Sequence, residues 1–291
     1  MARIFVAGAT GMLGREVVRL LAASGRDVTV RVLTRDAGRG QALGGVEVHV
    51  GDALRADTLR GALDGVDTVF SSLGASVSLK LGAGWRGYRA VDVPANLNLL
   101  EAAKQAGVKR FVYVSAHVIP ETVKYTYFAA HEHVASAVLG SGMDGRVLRP
   151  TAFFSALRPF VDFAKARKKV PVLGDGAPKS NPISDADLAE AAVEMLLAAP
   201  GEGPRERSLG GPDVLTRADI ARLACEACGV APRYRFVPAW VARTGSLFLT
   251  PISPRLAQLV RFATEVSVRD LIAPQTGTRH LADWFREAAK A

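Results

Sequence analysis

The 291-residue chain has only two cysteines, Cys225 and Cys228, too few for a disulfide framework. They form a Cys-x-x-Cys pair in RLACEACG, the spacing of a zinc or redox site, but no second ligand pair lies nearby. The segment has the spacing of an amphipathic helix following Thr216, so both thiols are expected as small, buried helical side chains. Long hydrophobic runs are missing as well. The stretch AWVARTGSLFLTPIS is broken by Arg243 and Pro251, so no membrane span is expected. The first strand candidate begins at Arg3, leaving no room for a targeting leader ahead of it, and a cytoplasmic location is expected. Acidic residues are in deficit, 28 against 37 Lys and Arg, for a net charge of +9. The cations are spread along the chain. The one dense run, KARKK at 165–169, reads as a helix end, where cations suit the dipole. Nucleic-acid binding is not expected; a modest pull toward phosphates is. There is no internal repeat and no low-complexity tract. Apolar residues, by contrast, make up 49 % of the chain, ample for a buried core.

The first half alternates apolar runs with helical patterns. Strands are predicted at 3–7, 28–33, 46–50, 67–72, 109–115 and 145–149, several apolar throughout, as strands buried on both faces should be. Helices are predicted at 12–24, 55–63, 86–106 and 127–141, the third stopping at Gly107. Such alternation predicts an α/β fold with a doubly wound parallel sheet. After Pro150 the pattern becomes mostly helical, with helices at 155–168, 184–199, 216–228, 254–265 and 279–290 separated by short extended pieces at 170–173, 205–209 and 233–237. Ser184 and Thr216 are candidate N-caps. The expected organisation is a sheet region over 1–150 and a smaller substrate or lid region over 151–291, interwoven into one unit. The C-terminal helices would close a pocket or pair two chains in a homo-oligomer.

The most informative segment is FVAGATGMLGREVVRLL. Gly8, Gly11 and Gly14 lie where the first strand turns into the first helix, with Thr10, Met12 and Leu13 completing the loop. A dinucleotide pyrophosphate needs a backbone it can approach closely and a helix N-terminus with free N–H groups. Glycines alone are weak evidence; a strand before them and a helix after them supply the context. With Ala9-Thr10 between the first two glycines, the loop resembles that of the short-chain dehydrogenase/reductase superfamily, a Rossmann-like NAD(P)-binding fold. The pieces GDA (51–53), GVDTVFSSLG (65–74), AAKQAGVKRFVYVS (102–115), LRPTAFF (148–154), GDG followed by NPISDADLAEA (174–191) and LGGPDVLT (209–216) narrow the resemblance to its atypical branch, the NmrA-like and divinyl-reductase-like proteins. The resemblance implies that Asp52 and Ala53 contact the adenine and that Ser72, Leu73 and Gly74 pass under the ribose and nicotinamide. It also implies that Pro150 and Thr151 flank the nicotinamide, with SNPIS (180–184) closing the site.

The second strand ends in Thr34 and Arg35 rather than in an acidic residue. Arginine offers a planar fork suited to a 2′-phosphate, whereas an NAD site usually places Asp or Glu there. Asp36, one residue on, would point away or cap the next helix. NADPH is therefore expected ahead of NADH.

In the wider superfamily a Ser, a Tyr and a Lys assist reduction of a carbonyl, because hydride transfer leaves an alkoxide that needs a nearby acid. The corresponding positions here are Ser115, Tyr127 and, one helical turn after the tyrosine, His131. Histidine titrates near neutrality, so its charge is not assured as a lysine's is. His131 and His133 are two residues apart on a helix and cannot face one ion together; no metal is expected. His117 follows Ser115 at the ligand edge as a proton donor or polar lining. Phe153 and Phe154 would face a flat apolar substrate or pack beneath the helical part. Trp85 lies in the glycine-rich loop 74–88, a natural lid.

The expected activity is NADPH-dependent hydride transfer to a small apolar ketone, quinone or conjugated C=C substrate. Two alternatives stand beside it: a non-catalytic NADP(H)-binding regulator or assembly factor of the NmrA type, and an isomerase or epimerase that keeps its cofactor.

Overall fold

The computed structural model describes residues 2–74, 88–166 and 169–290. Its first half is β1 (Ala2–Ala7), α1 (Met12–Ala23), β2 (Val28–Thr34), α2 (Ala37–Gln41), β3 (Glu47–Val50), β4 (Thr68–Ser71), α3 (Tyr88–Gln105), β5 (Arg110–Val114), α4 (Thr126–Leu139) and β6 (Asp144–Pro150). The second half is α5 (Arg158–Lys165), β7 (Val170–Leu173), β8 (Lys179–Ser180), α6 (Asp185–Leu197), β9 (Glu206–Leu209), β10 (Leu215–Thr216), α7 (Arg217–Ala227), β11 (Tyr234–Val237), α8 (Ala239–Leu249), α9 (Pro254–Ser267) and α10 (Leu281–Lys290). Seven strands form one parallel sheet in the order β3-β2-β1-β4-β5-β6-β9. The doubly wound α/β sheet read from the sequence is the one present.

Both faces of the sheet are covered, which is why its strands read as continuous apolar runs. Successive side chains of β1 point to opposite faces. Ile4 and Val6 join Val17 and Leu21 of α1 and Leu188, Ala192 and Met195 of α6. Phe5 and Ala7 join Leu99 of α3 and Val134 and Val138 of α4. Phe5 is wholly buried, a burial that contributes about 1.5–3 kcal/mol. The second half thus supplies a helix and an edge strand to the sheet region. Helices α5, α7 and α10 build a small core with Phe154, Val161, Ile220, Leu281 and Phe285. Cys225 is buried in the adjoining cluster with Val170 and Val172, and both cysteines are free thiols.

Ser184 caps α6 by accepting from the Asp187 N–H, and Thr216 forms a full capping box with Asp219, as their positions predicted. Some elements differ from the sequence reading, the two-residue strands β8 and β10 among them. The helix expected over 55–63 is only a 3-10 turn at Ala56–Leu59, because Gly61 adopts φ +71 and ends it. Helix α2, AGRGQ, was hidden by its two glycines. Helix α8 lies in the stretch inspected only as a membrane span and rejected; no helix among the described residues is long and apolar enough to cross a membrane.

Candidate functional site

Parallel pairing brings the carboxyl ends of the strands to one edge: Ala7 is level with Leu33 and Ser71, Ser71 with Tyr113, and Val114 with Leu148. Ligands bind at this edge in open α/β sheets. The glycine loop stands at its centre. Gly8 has φ +90, and a Cβ on it would come 2.6 Å from the Ser72 hydroxyl. A Cβ on Gly14 would come 2.2 Å from the Gly8 carbonyl oxygen, so helix and loop touch through bare backbone. Gly11 is the N-cap of α1 with no side-chain cap, and the first turn carries no acidic residue. Its orphan N–H groups and the positive end of the helix dipole therefore face outward, as an anionic pyrophosphate requires. Met12 is exposed, whereas Leu13 turns into the core, so Leu13 offers the site only backbone.

At the tip of β2 the Thr34 hydroxyl donates to the Asp36 carbonyl at 2.9 Å, and the Asp36 carboxylate accepts from the Arg39 N–H at 3.1 Å. Asp36 is thereby the N-cap of α2, one of the two fates open to it. Arg35 is exposed and forms no ion pair with the described residues. The Asp52-Ala53 turn is pinned by Thr58, whose hydroxyl bonds the Asp52 N–H and carbonyl, and by Asn98, which donates to the Ala53 carbonyl at 2.9 Å. Ser72 donates to the Ala7 carbonyl through its N–H at 3.1 Å. Asn96, fully buried, takes the Ser71 hydroxyl at 2.6 Å and donates to the Leu73 carbonyl at 3.1 Å, bracing the segment that ends at Gly74. The sequence showed Asn96 only as part of an amphipathic helix.

At the end of β5, the Ser115 hydroxyl is buried and has no hydrogen-bond partner among the described residues. A buried hydroxyl left unmatched is costly, and this one sits on the ligand edge. Together with the open α1 N-terminus and the glycine cradle, it fits a bound dinucleotide and acceptor. Thr151 follows β6, its N–H bonded to the Leu209 carbonyl and its hydroxyl to the Asn181 carbonyl at 2.7 Å. Ile183 bridges to Phe153, so the 180–184 segment lies against Thr151 and Phe153. Asn181 itself is buried and holds the Ala273 backbone through both amide atoms.

The tyrosine–histidine pair is arranged differently from expectation. Tyr127, in the first turn of α4, packs its ring against His131 at 4.5 Å and Phe262 of α9 at 4.2 Å between centroids. His131 is buried, and its Nδ1 is 2.7 Å from the hydroxyl of Tyr113 on β5. Burial, helped by the nearby charge of Arg149, pushes the imidazole down to about 4. It is neutral at physiological pH and cannot bring a lysine-like charge to Tyr127. Burial likewise raises the Tyr113 phenol well above its ordinary value, so this pair is uncharged on both sides. Arg149 is held by Glu132 and, at 2.8 Å, by Glu206. Neither Tyr113 nor Arg149 was singled out in the sequence; a tyrosine two residues before the strand-end serine was the available signal.

His117 is half-buried, 3.3 Å from the Ser208 hydroxyl, and burial followed by Arg149 lowers its affinity for a proton. His133 faces solvent while His131 is buried. Phe153 is half-buried against the sheet core. Phe154, 1 % exposed, is enclosed with Trp284 and Phe285 in the helical core; it gives no face to a substrate, and its place as pocket lining is corrected. Trp85 and nearly all of the 74–88 loop lie outside the described residues.

A family model described as NAD(P)H-binding matches residues 8–199. The NAD(P)H azoreductase of Xenophilus azovorans is 30 % identical over 99 % of this chain and 97 % of its own length. The chloroplastic divinyl chlorophyllide a 8-vinyl-reductase of Oryza sativa subsp. indica is 29 % identical over 82 % of this chain; the matched part spans only 62 % of that protein. Among solved structures, an Escherichia coli NADPH-dependent quinone oxidoreductase complexed with NADPH superposes with a TM-score of 0.74 at 20 % identity, covering 98 % of this chain and 99 % of that one.

Proposed function

The chain belongs to the NAD(P)H-binding family, within the atypical branch of the short-chain dehydrogenase/reductase superfamily, and we propose that it is an NADPH-dependent oxidoreductase acting on an apolar, conjugated acceptor. The observation that carries the reading is the Ser115 hydroxyl, buried on the ligand edge without a partner among the described residues. Leaving such a group unmatched costs about 1–3 kcal/mol, a cost removed when the hydroxyl donates a hydrogen bond to a polar atom of the acceptor. NADPH, when bound, supplies the reducing equivalents. The α1 N-terminus and the glycine loop would hold its pyrophosphate, and Arg35, left available because Asp36 caps α2, would hold a 2′-phosphate. Ser115 orients the acceptor oxygen, and Tyr127 is the proton donor. Because His131 is neutral and committed to Tyr113, it cannot give Tyr127 the charge that a lysine at this position would. That favours a quinone or a conjugated C=C bond, in which charge is delocalised and the demand for an acid is smaller. The vinyl, azo and quinone acceptors named for the relatives are of this kind.

The same neutrality of His131 supports one second reading, a cofactor-binding regulator without turnover. The deciding experiment follows NADPH oxidation by the native protein and by Tyr127→Phe against panels of quinones, enones, azo compounds and simple ketones. Turnover with conjugated acceptors and not with ketones is expected, with a clear loss in the variant. Tight NADPH binding with no oxidation by any acceptor would favour the regulator.

A further inference from the structure

Helix α8 is thinly covered for its length. Of its eleven residues only Ala242 and Ser246 are buried. Trp240 is 68 % exposed, Leu247 61 % and Phe248 73 %; Val241 is exposed too, and Ile252 beyond the helix end is 69 % exposed. At 100° per residue, Leu247, Trp240, Thr244, Phe248 and Val241 fall in one continuous arc of about 120°, directly opposite Ala242 and Ser246. The apolar stripe therefore faces away from the protein. Phe236 of β11, three residues before the helix, is 50 % exposed as well. Aromatic and aliphatic side chains exposed together on this scale mark a surface that meets something.

The charge around the stripe identifies the partner. From 227 to 264 the sequence contains no Asp, Glu or Lys and five arginines: Arg233, Arg235, Arg243, Arg255 and Arg261. Of the described acids near the helix, Glu265 is buried and held by both Arg243 and Arg269, and Asp175 stands beside Pro238 and Ala239 at its foot. A second copy of the chain applied to this face would set arginine against arginine. An anionic bilayer satisfies both features at once, taking the apolar arc at the acyl boundary and the guanidinium groups among its phosphates. We propose that α8 with the turn to Ile252 is a peripheral docking helix for anionic lipid membranes. It lies on the surface and does not span.

The proposal stands apart from the reaction assigned above, yet it has a bearing on it. Helix α8 is fastened to α9 by Arg243 with Glu265 and by Arg261, which donates to the Ser246 hydroxyl at 3.0 Å. On α9, Phe262 packs against Tyr127. The docked face is thus one helix away from the candidate proton donor.

The test is flotation of the full chain with vesicles of phosphatidylcholine alone and of phosphatidylcholine mixed with phosphatidylglycerol. The native protein should float only with the anionic vesicles and be released by salt. Leu247→Gln with Phe248→Gln changes only exposed side chains; it should preserve the circular dichroism spectrum and melting temperature and weaken binding by at least about tenfold. Emission from Trp240 should shift to shorter wavelength on binding, and Trp240→Phe should abolish the shift. Native protein that stays in the soluble fraction with anionic vesicles overturns the proposal, as does a double variant that floats like the native chain. A native dimer that the double variant turns into a monomer would assign the face to a second copy instead.

Discussion

The hydroxyl of Tyr113 and Nδ1 of His131 lie 2.7 Å apart in a buried contact between strand β5 and helix α4. Ser115 is two residues beyond Tyr113, and Tyr127 is one turn before His131. The bond therefore fixes the helix carrying the candidate proton donor relative to the strand carrying the orphan serine. The histidine at the superfamily's lysine position acts here as a structural strut rather than as a charge.

Tyr113→Phe removes one partner and leaves a buried imidazole nitrogen unmatched. A loss of about 1–3 kcal/mol in unfolding free energy is expected. Urea denaturation of the two proteins measures it, and an unchanged midpoint and slope would refute the strut.

Acid should reveal the neutral histidine. His131 has a folded-state value of about 4 against an ordinary 6.5, so between these values the unfolded chain binds the extra proton. Stability from this group is complete above pH 6.5 and is lost as pH falls toward 4. The total is on the order of 3 kcal/mol. Equilibrium unfolding across this window should show the decline, and His131→Gln should flatten it. A variant with the native slope would show that other groups carry the effect.

Gly14→Ala places a methyl group against the Gly8 carbonyl. The loop or helix must give way, at about 1–3 kcal/mol, and the pyrophosphate cradle goes with it. Titration of NADPH fluorescence should show markedly weaker binding beside a lowered melting temperature. Native affinity in this variant would mean that the cofactor does not use the loop.

Arg35→Ser tests the choice of nucleotide. Affinity for NADPH should fall by about tenfold, or 1.4 kcal/mol, while affinity for NADH holds. Calorimetric titration with both nucleotides reads the ratio; an unchanged ratio would remove Arg35 from the site.

The sheet and the glycine loop were legible because local pattern determines them: apolar runs for strands covered on both faces, and glycines where no Cβ fits. The two predicted N-caps, Ser184 and Thr216, were legible for the same reason. The partners of His131 were not, since Tyr113 is eighteen residues away and only the pairing of β5 under α4 brings them together. Phe154 shows the converse. Its position after β6 suggested a pocket wall, but Trp284 and Phe285, from the far end of the chain, enclose it. Helix α8 escaped because its apolar arc points outward, so the usual link between apolar spacing and a buried face misleads there.

Strand β9 imposes an order on how the molecule is made. The six strands β1 to β6 are complete once residue 150 has been synthesised, but β9 at 206–209 and helix α6 come later. Until they leave the ribosome, the backbone of β6 offers an open edge and Val17 and Leu21 have no α6 to cover them. Exposed edges and apolar faces are where nascent chains stick to one another. A chain cut near residue 150 would leave that edge unpaired and that face uncovered, and adhesion between such chains is the expected outcome.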